Sequence, residues 1–489
     1  MNAWVRSALA LTILWAPAWA EGFKPELESW GAYDVRHLPI GGIYNRMAVT
    51  KEGLIAAIAL GSSPGPDGKI GSQLYFLRPD GRLVGQIAPP DSFQINNPGL
   101  PVVVLRDGTF AAVTDSGTVV FASRDGHKAA EYAAPDGARH ASAAVALRNG
   151  LLALGLRPAK IVLLDSRGAL RGEISGKAMR HDYDQSGVGR ILETRDGRLL
   201  VASDYAGGYL SSRGGGSLKP WTIDGERKVR PLLVLRSGSI VAMGRMGLVL
   251  AGVDGTLKKE LDLKVAGTYQ EEHGGKDRET LAGVVELRDG GFAVTTMEGR
   301  LFVMTKDGRE RWRFKVPGMI HSEALELKNG NFVVGSSASF LYFLTRDGAL
   351  LGRYRTDNNV FAAPVEMEDG TVVAGTSMER GTSHNLYVFS PTGRPFIPAP
   401  SLSGRDCRVV GKSGGRMGVS NAPCPDSEAY IDDPITQRQA EETCLRYYPD
   451  SRPTHFHDFS CPTFGADSHG RAMKNLILYF DCEVCSDAP

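Results

Sequence analysis

The chain has 489 residues, a formal net charge of +1 and 42% hydrophobic residues. Its length exceeds what one ordinary hydrophobic core supports, although a repeat fold escapes that limit. The near-neutral charge gives no electrostatic reason to expect nucleic acid or an acidic membrane as a partner. No apolar run after residue 20 reaches the roughly 18 residues of a membrane helix, so we expect no membrane span.

Residues 1–20, MNAWVRSALALTILWAPAWA, have the pattern of a secretory signal peptide. They carry one positive charge at Arg6, then an apolar run, and they end in the small-x-small triplet at 18–20. No cysteine lies near the cleavage site, so the signal is of the soluble type and not of the lipoprotein type. We therefore expect an unanchored mature chain from Glu21, located in the periplasm or secreted.

Residues 281–316 contain one complete structural unit that recurs along the chain. The unit reads as four short strands, with tight turns at Asp289-Gly290 and Asp307-Gly308. Asp-Gly between β-branched and aromatic runs is a strong hairpin signal, because glycine accepts the positive φ of a tight turn. One such unit cannot bury its own faces, so the repeat predicts an array of units.

The first turn of the unit recurs in eight copies, about 40 to 55 residues apart, which is the spacing of four-stranded propeller blades. We predict an all-β fold, an eight-bladed β-propeller over residues 43–400, with a seven-bladed ring and one irregular unit as the alternative. The segment 21–42 would supply a closing strand around Tyr33-Asp34-Val35. The first-turn glycines are Gly53, Gly108, Gly150, Gly197, Gly238, Gly290, Gly330 and Gly370, and the second-turn glycines are Gly81, Gly126, Gly168, Gly214, Gly255, Gly308, Gly348 and Gly393.

Two stretches, GGFAVTTMEGRLFVMTKDGRERWRF and GNFVVGSSASFLYFLTRDGALLGRY, resemble the repeats of quinoprotein-like propellers. That superfamily holds quinone-dependent dehydrogenases and also a cofactor-free member, the propeller subunit of the outer-membrane β-barrel assembly machinery. The resemblance covers about residues 43–398 and implies the propeller fold. It implies no single function, because propellers host many unrelated activities.

The dehydrogenases of that superfamily carry a tryptophan-docking pattern that ends Gly-Lys-x-x-Trp. Only residues 308–312, GRERW, come close to it, and residues 348–352, GALLG, have lost the tryptophan. After residue 20 the chain keeps only Trp30, Trp221 and Trp312, and it lacks the adjacent cysteines of those enzymes. We therefore expect no pyrroloquinoline quinone, no alcohol dehydrogenase activity and no other resident cofactor.

One segment of the array has the spacing of a calcium loop. Asp182, Asp184 and Ser186 precede Gly187, and Glu193 follows eleven residues after Asp182. The alternative is that Glu193 belongs to the repeat, because Glu286, Glu326 and Glu366 stand at the same place before their turns. Calcium at Asp182, Asp184 and Ser186 is thus the only metal that the array suggests.

The residues from 401 to 489 form a separate, cysteine-rich tail domain behind the Pro- and Ser-rich segment 394–404. Six cysteines in an exported domain of this size predict disulfide bridges, for which 15 connectivities exist. Cys482 and Cys485 have the CxxC spacing of thiol oxidoreductases. Such motifs need a following helix, and only four residues follow Cys485, so we expect a structural role instead. The cysteines are Cys407, Cys424, Cys444, Cys461, Cys482 and Cys485.

Local patterns in the tail predict little regular structure. A helix is expected after Asp433, with Ala440 and Cys444 on one face, and a strand is expected at 476–480. The rest reads as loops. His455 and His457 would lie on one side of a strand as a half-site for zinc or copper, although a pair of exposed histidines is the better reading.

Loop lengths indicate where function resides. We call the side of the ring with the tight Asp-Gly turns the turn face and the opposite side the insertion face. Insertions on one face of a repeat array usually mark its binding surface. We predict a non-catalytic binding or scaffold protein that holds a protein or glycan partner at the cell envelope. The alternative is an exported enzyme, a quinone-dependent dehydrogenase or a hydrolase, with its active site on the same face. The insertions are 62–72, 89–101, 175–189, 265–281 and 377–385.

Overall fold

The structure is a computed structural model. In the tail it describes the backbone and, of the side chains, only those of Ala440, Thr443, Cys444, Phe480 and Cys482. The described residues are 27–38, 40–60, 71–89, 92–93, 100–114, 116–134, 141–157, 160–175, 188–203, 207–212, 216–226, 229–244, 247–261, 263, 265–266, 279–377, 385–394, 405–420, 440, 443–444, 451–460, 463–466 and 472–487.

Eight consecutive antiparallel sheets form the ring, so the eight-bladed prediction is confirmed and the seven-bladed alternative is wrong. The first four blades have four strands each. Blade 1 has β3 (Ala48–Val49), β4 (Ile55–Leu60), β5 (Ser72–Leu77) and β6 (Leu83–Ile87); blade 2 has β7 (Val103–Val104), β8 (Phe110–Val113), β9 (Val119–Ala122) and β10 (Lys128–Tyr132); blade 3 has β11 (Ala141–Ala146), β12 (Leu152–Leu156), β13 (Lys160–Leu164) and β14 (Leu170–Ser175); blade 4 has β15 (Val188–Glu193), β16 (Leu199–Ser203), β17 (Gly207–Ser211) and β18 (Leu218–Trp221).

The remaining blades follow the same order, and blade 6 carries one additional short strand, β23 (Val265–Ala266), that pairs in parallel with its innermost strand. Blade 5 has β19 (Arg230–Val234), β20 (Ile240–Gly244), β21 (Gly247–Ala251) and β22 (Leu257–Glu260); blade 6 has β24 (Glu279–Glu286), β25 (Phe292–Thr296), β26 (Arg300–Met304) and β27 (Glu310–Lys315); blade 7 has β28 (Leu325–Glu326), β29 (Phe332–Ser336), β30 (Phe340–Leu344) and β31 (Leu350–Arg355); blade 8 has β32 (Val365–Glu366), β33 (Val372–Gly375) and β34 (Leu386–Pro391).

The N-terminal segment closes the ring. β2 (Tyr33–Leu38) pairs antiparallel with β34, so it serves as the fourth strand of blade 8 in the region where the sequence indicates a closing strand. β1 (Leu27–Trp30) pairs with β2 and adds a fifth strand outside it. A ring closed in this way leaves few strand edges exposed, and both ends of the propeller are held in one sheet.

The tight turns explain the Asp-Gly repeats. Gly290 and Gly308 have φ values of 85° and 71°, a region that L side chains rarely adopt. The Asp289 carboxylate accepts a hydrogen bond from the backbone N–H of Gly291 at 2.9 Å, which stabilises the turn locally. Both requirements act within a few residues, which is why the turns are visible in the sequence.

The hydrophobic core lies between neighbouring blades. Phe292 and Phe302 of blade 6, for example, pack in one cluster with Leu250 of blade 5. Two tryptophans add directional contacts. Trp312 Nε1 donates to the Arg346 carbonyl of the next blade at 2.9 Å, and Trp221 Nε1 donates to the Val253 carbonyl at 3.0 Å. In the sequence only Trp312 stands near the spacing of the docking pattern, because the segment between the second-turn glycine and Trp221 is longer.

The tail contains more strand than its sequence suggests, so the loop-rich reading is wrong. The strands are β35 (Arg405–Ser420), β36 (Ser451–Ser460), β37 (Thr463–Ala466) and β38 (Ala472–Asp487). The long strands β35 and β36 both pair with β38 over most of their length. These strands are defined by pairing between distant segments and show no alternating pattern in the sequence. Residues 440, 443 and 444 are helical, and Ala440 and Cys444 are fully buried.

Candidate functional site

The innermost strands line the central channel, and four of them carry a glutamate four residues before the first-turn glycine. Each carboxylate accepts a hydrogen bond from the backbone N–H of a basic residue in the preceding blade. Glu193 thus belongs to the repeat, and its role is to fasten neighbouring blades on the turn-face side. The four bonds are Arg148 to Glu193 at 2.8 Å, Arg236 to Glu286 at 2.6 Å, Arg288 to Glu326 at 2.6 Å and Lys328 to Glu366 at 2.8 Å.

Glu366 is less accessible than Glu193 and Glu286, with 8% of its side chain exposed against 16% and 17%. Burial raises the pKa of Glu366 above its ordinary value, although the Lys328 N–H bond and the positive charges of Arg288 and Lys328 oppose that rise. The Arg288 guanidinium lies 3.5 Å from the Glu366 carboxylate and joins blade 6 to blade 8. These contacts give Glu366 a structural role.

A cavity of about 260 Å³ opens beside the inner strands of blades 6, 7 and 8. Its charged lining is mostly engaged, because Glu286 is paired with Arg236 at 3.3 Å, and Glu326 accepts the Arg288 N–H. Within the described residues, Arg46 and Glu323 have no recorded ion-pair partner. The lining consists of Arg46, Val285, Glu286, Arg288, Glu323, Ala324, Leu325, Glu326, Ala363 and Pro364.

Three aromatic rings border the same part of the channel on the insertion face. Tyr44, His321 and Phe361 each stand nine residues before a first-turn glycine, in the crossovers that lead into blades 1, 7 and 8. His321 stacks on Phe361 with ring centroids 4.0 Å apart, and Tyr44 lies 5.8 Å from Phe361. We call these three residues the aromatic ledge. All three are half-buried.

The aromatic ledge and the cavity belong to one surface. Glu323, Ala363 and Arg46 line the cavity, and each lies two residues after a ledge residue. Consecutive Cα atoms are about 3.8 Å apart, so each ledge residue lies within about 8 Å of a residue that lines the cavity. The equivalent positions of blades 3 to 6 hold only small or aliphatic residues, so the ledge is confined to the sector where blades 7, 8 and 1 meet. Those residues are Ala141, Val188, Val229 and Leu281.

A buried amide network connects the crossovers that carry the aromatic ledge. Asn385 is fully buried and accepts hydrogen bonds from Asn358 Nδ2 at 2.9 Å and from Thr376 Oγ1 at 3.1 Å. Its own Nδ2 donates to the Ile40 carbonyl at 3.1 Å, which links blade 8 to the crossover into blade 1. The crossovers that carry Phe361 and Tyr44 are therefore fixed to a common support.

The calcium candidate lies outside the described residues, as do residues 1–20, where a signal peptide is predicted, and most of each insertion. Asp182, Asp184 and Ser186 belong to segment 176–187, which the structure does not describe. The ends of the insertion after blade 5 are described, because Val265 and Ala266 pair with Glu279 and Thr280. Across the described ranges, no group of three or more His, Cys, Asp or Glu side chains is placed to hold a metal ion.

The tail cysteines agree with structural bridging where they are described. Cys444 and Cys482 form a disulfide, so Cys482 does not pair with Cys485. The backbone of Cys485 lies directly opposite Cys407 in the β35–β38 ladder. Cys424 and Cys461 are outside the described residues, as are the side chains of the two tail histidines. Register shifts fall beside both histidines, so the simple alternation behind the half-site does not apply to that strand.

The sequence motifs did not reveal the aromatic ledge. A usable signal exists in the fixed offset of nine residues before each first-turn glycine, where three of the eight copies are aromatic. Tyr, Phe and His at that offset share no motif, and their chain positions are far apart.

In the described part of the chain, no helix has the length and apolar character to cross a membrane.

Comparisons with known proteins find likeness in structure only. No protein-family model matches the chain, and no curated protein matches it in sequence. Among solved structures, the computationally designed protein Ika8 has a TM-score of 0.51 at 15% identity, covering 72% of this chain and 98% of its own. BamB from Moraxella catarrhalis has a TM-score of 0.37 at 14% identity, covering 75% of this chain and 96% of its own.

A streptogramin B lyase gives a TM-score of 0.42 at 12% identity, covering 75% of this chain and 98% of its own. Of these three structures, Ika8 alone has a TM-score above 0.5, and at 15% identity that likeness supports the fold and leaves activity open. The repeats that resemble those of quinoprotein-like propellers form a ring of eight sheets. The chain is thus an eight-bladed β-propeller followed by a disulfide-containing tail.

Proposed function

We propose that this protein is an exported, non-catalytic binding module that holds a protein partner on its insertion face. The observation that supports this most is the aromatic ledge, because three rings from three crossovers meet at one side of the channel mouth. Aromatic side chains give a large contact area at a small cost in conformational entropy, and they are enriched at protein interfaces.

The charges around the ledge suit the same role. Arg46 and Glu323 line the cavity on either side of Ala363 and have no recorded ion-pair partner among the described residues. Aromatic side chains and arginine are enriched among the few residues that supply most of the energy of an interface. The ledge with Arg46 and Glu323 would therefore anchor a partner, while the insertions enlarge the contact.

The size of the cavity favours a protein partner over a resident small molecule. Small-molecule and cofactor sites usually have about 300 to 1,000 Å³. The cavity beside the ledge has about 260 Å³, which suits one anchoring side chain of a partner. The proposal requires no cofactor. A calcium ion at Asp182, Asp184 and Ser186 would serve to stiffen the insertion 175–189, to which these residues belong.

The decisive experiment is capture from envelope extract, with identification of the captured protein by mass spectrometry. We expect Tyr44→Ala and Phe361→Ala each to weaken capture about tenfold or more, because a hot-spot truncation costs about 2 kcal/mol or more. Tyr132→Ala is the matched control, since Tyr132 is also a half-buried tyrosine but lies in the outer strand of blade 2.

Three outcomes contradict the proposal. Capture that survives both ledge substitutions but ends when residues 401–489 are deleted makes the tail the binding element. If the wild-type protein captures no protein but binds a glycan array, and the ledge substitutions abolish that binding, the partner is a glycan. Substrate turnover that depends on the ledge makes the enzyme alternative correct.

A further inference from the structure

A second cavity, of about 610 Å³, lies on the turn face at the junction of blade 8 with blade 1. We call it the closure groove. Its walls come from the closing strand β2, from the second turn of blade 1 and from the first turn of blade 8. The residues that line it are Arg36, Arg78, Pro79, Asp80, Arg82, Asp369, Thr371, Ser390 and Pro391.

The closure groove gathers three guanidinium groups from both sides of the junction. Arg78 is fixed by a 2.7 Å hydrogen bond from its Nη1 to the Glu52 carbonyl. Arg36 of β2 and Arg82 of blade 1 have no recorded ion-pair partner within the described residues. Arginine is always charged at working pH, and its planar fork matches the oxygens of carboxylates and phosphates.

The two aspartates of the closure groove are partly engaged by their own turns. Asp80 accepts the backbone N–H of Arg82 at 3.0 Å, and Asp369 accepts that of Thr371 at 2.9 Å. Three guanidinium groups thus share the groove with two carboxylates, and Thr371 and Ser390 complete the polar part of its lining. The donors outnumber the acceptors that the groove itself provides.

The junction lacks the fastening that four other junctions have. At this junction Glu368 of blade 8 stands where those four junctions have a basic residue. Val49 of blade 1 stands where they have the acceptor glutamate. A ligand that bridges Arg36 and Arg82 would connect the closing strand to blade 1 on this face. We propose that the closure groove binds an oxyanion of the phosphate class and that its binding stabilises the closed ring.

The probe is inorganic pyrophosphate, titrated at constant ionic strength with chloride as the background anion. We expect saturable binding by calorimetry and a rise in Tm that follows the same saturation, because a ligand that binds only the folded state stabilises it. The double variant Arg36→Ala/Arg82→Ala should weaken binding about tenfold or more, since a hydrogen bond to a charged group contributes about 1.5 to 3 kcal/mol.

Arg309→Ala is the matched control, because Arg309 follows the second-turn glycine of blade 6 as Arg82 follows that of blade 1. Its pyrophosphate affinity should equal that of the wild type. Circular dichroism without pyrophosphate separates loss of binding from loss of folding, and Arg36→Lys provides a second variant that keeps the charge but lacks the fork.

Phosphatidylglycerol vesicles test whether the phosphate belongs to a lipid. Binding to vesicles that is lost in the double variant supports the site with a lipid headgroup as its source. The proposal is overturned if neither pyrophosphate nor vesicles bind saturably, or if the double variant binds as the wild type does. Because the closure groove and the aromatic ledge are on opposite faces, partner capture should be unchanged in the double variant.

Discussion

Asn385→Ala tests whether the buried amide network fixes the support of the aromatic ledge. The substitution removes the acceptor of Asn358 Nδ2 and of Thr376 Oγ1, and it removes the donor to the Ile40 carbonyl. Asn385 is fully buried, so water cannot replace these bonds without entering the core.

The magnitude follows from the hydrogen bonds that the substitution removes. Each buried polar group that loses its hydrogen bond costs about 1 to 3 kcal/mol. The Thr376 hydroxyl keeps a backbone acceptor, since the Asn385 carbonyl oxygen lies 3.5 Å from it, so the Asn358 amide and the Ile40 carbonyl carry most of the loss. We expect the free energy of unfolding to fall by about 3 to 5 kcal/mol.

Urea unfolding provides the assay, with tryptophan fluorescence and circular dichroism as two probes whose agreement checks two-state behaviour. Asn149→Ala is the matched control, because Asn149 is exposed and its side chain accepts only a local turn bond, from Leu151 N at 3.0 Å. We expect the control to change stability by about 0.5 kcal/mol or less. A loss below about 1 kcal/mol for Asn385→Ala would refute the argument that unsatisfied polar groups dominate there.

Three further predictions follow from single contacts. Gly335→Ala should cost about 1 to 3 kcal/mol in urea unfolding, because its Cβ would stand 2.3 Å from Val360 Cγ1 in a filled core. Asp196→Asn should reduce the loss of stability in acid, because hydrogen bonds, first from Thr194, hold the pKa of Asp196 below the ordinary value of 3.8. Mass spectrometry without reduction should find a Cys407–Cys485 bridge, since these residues are directly opposite in register.

Each of these has a control or a contrary outcome. Gly71→Ala is the control for the glycine change, because nothing lies within 4 Å of its Cβ. For Asp196, a folded pKa below the unfolded one means stability that is present above pH 3.8 and is lost as the pH falls through the folded pKa. Equal acid sensitivity in Asp196→Asn would count against that origin. A Cys407 peptide linked to any other cysteine would show that register does not decide the pairing.

The sequence predicted the propeller because its information is local. Each tight turn needs only a few consecutive residues. In blade 6, Gly290 adopts the positive φ, and the Asp289 carboxylate accepts a hydrogen bond from the Gly291 N–H. The recurrence of that turn gave eight blades. The tail strands were missed because their pairing joins β35 to β38 over a long separation, which no local pattern shows.

The sequence by itself determined the turns, the repeat and the concentration of cysteines in the tail, since each depends on backbone conformation or composition over short spans. Only the tertiary structure decided which side chains meet. Tyr44 and Phe361 are in contact because the closed ring brings blade 1 beside blade 8, and Arg36 and Arg82 share a groove for the same reason. Contacts of this kind depend on how many blades complete the circle, so they follow from closure of the whole chain and from no segment of it.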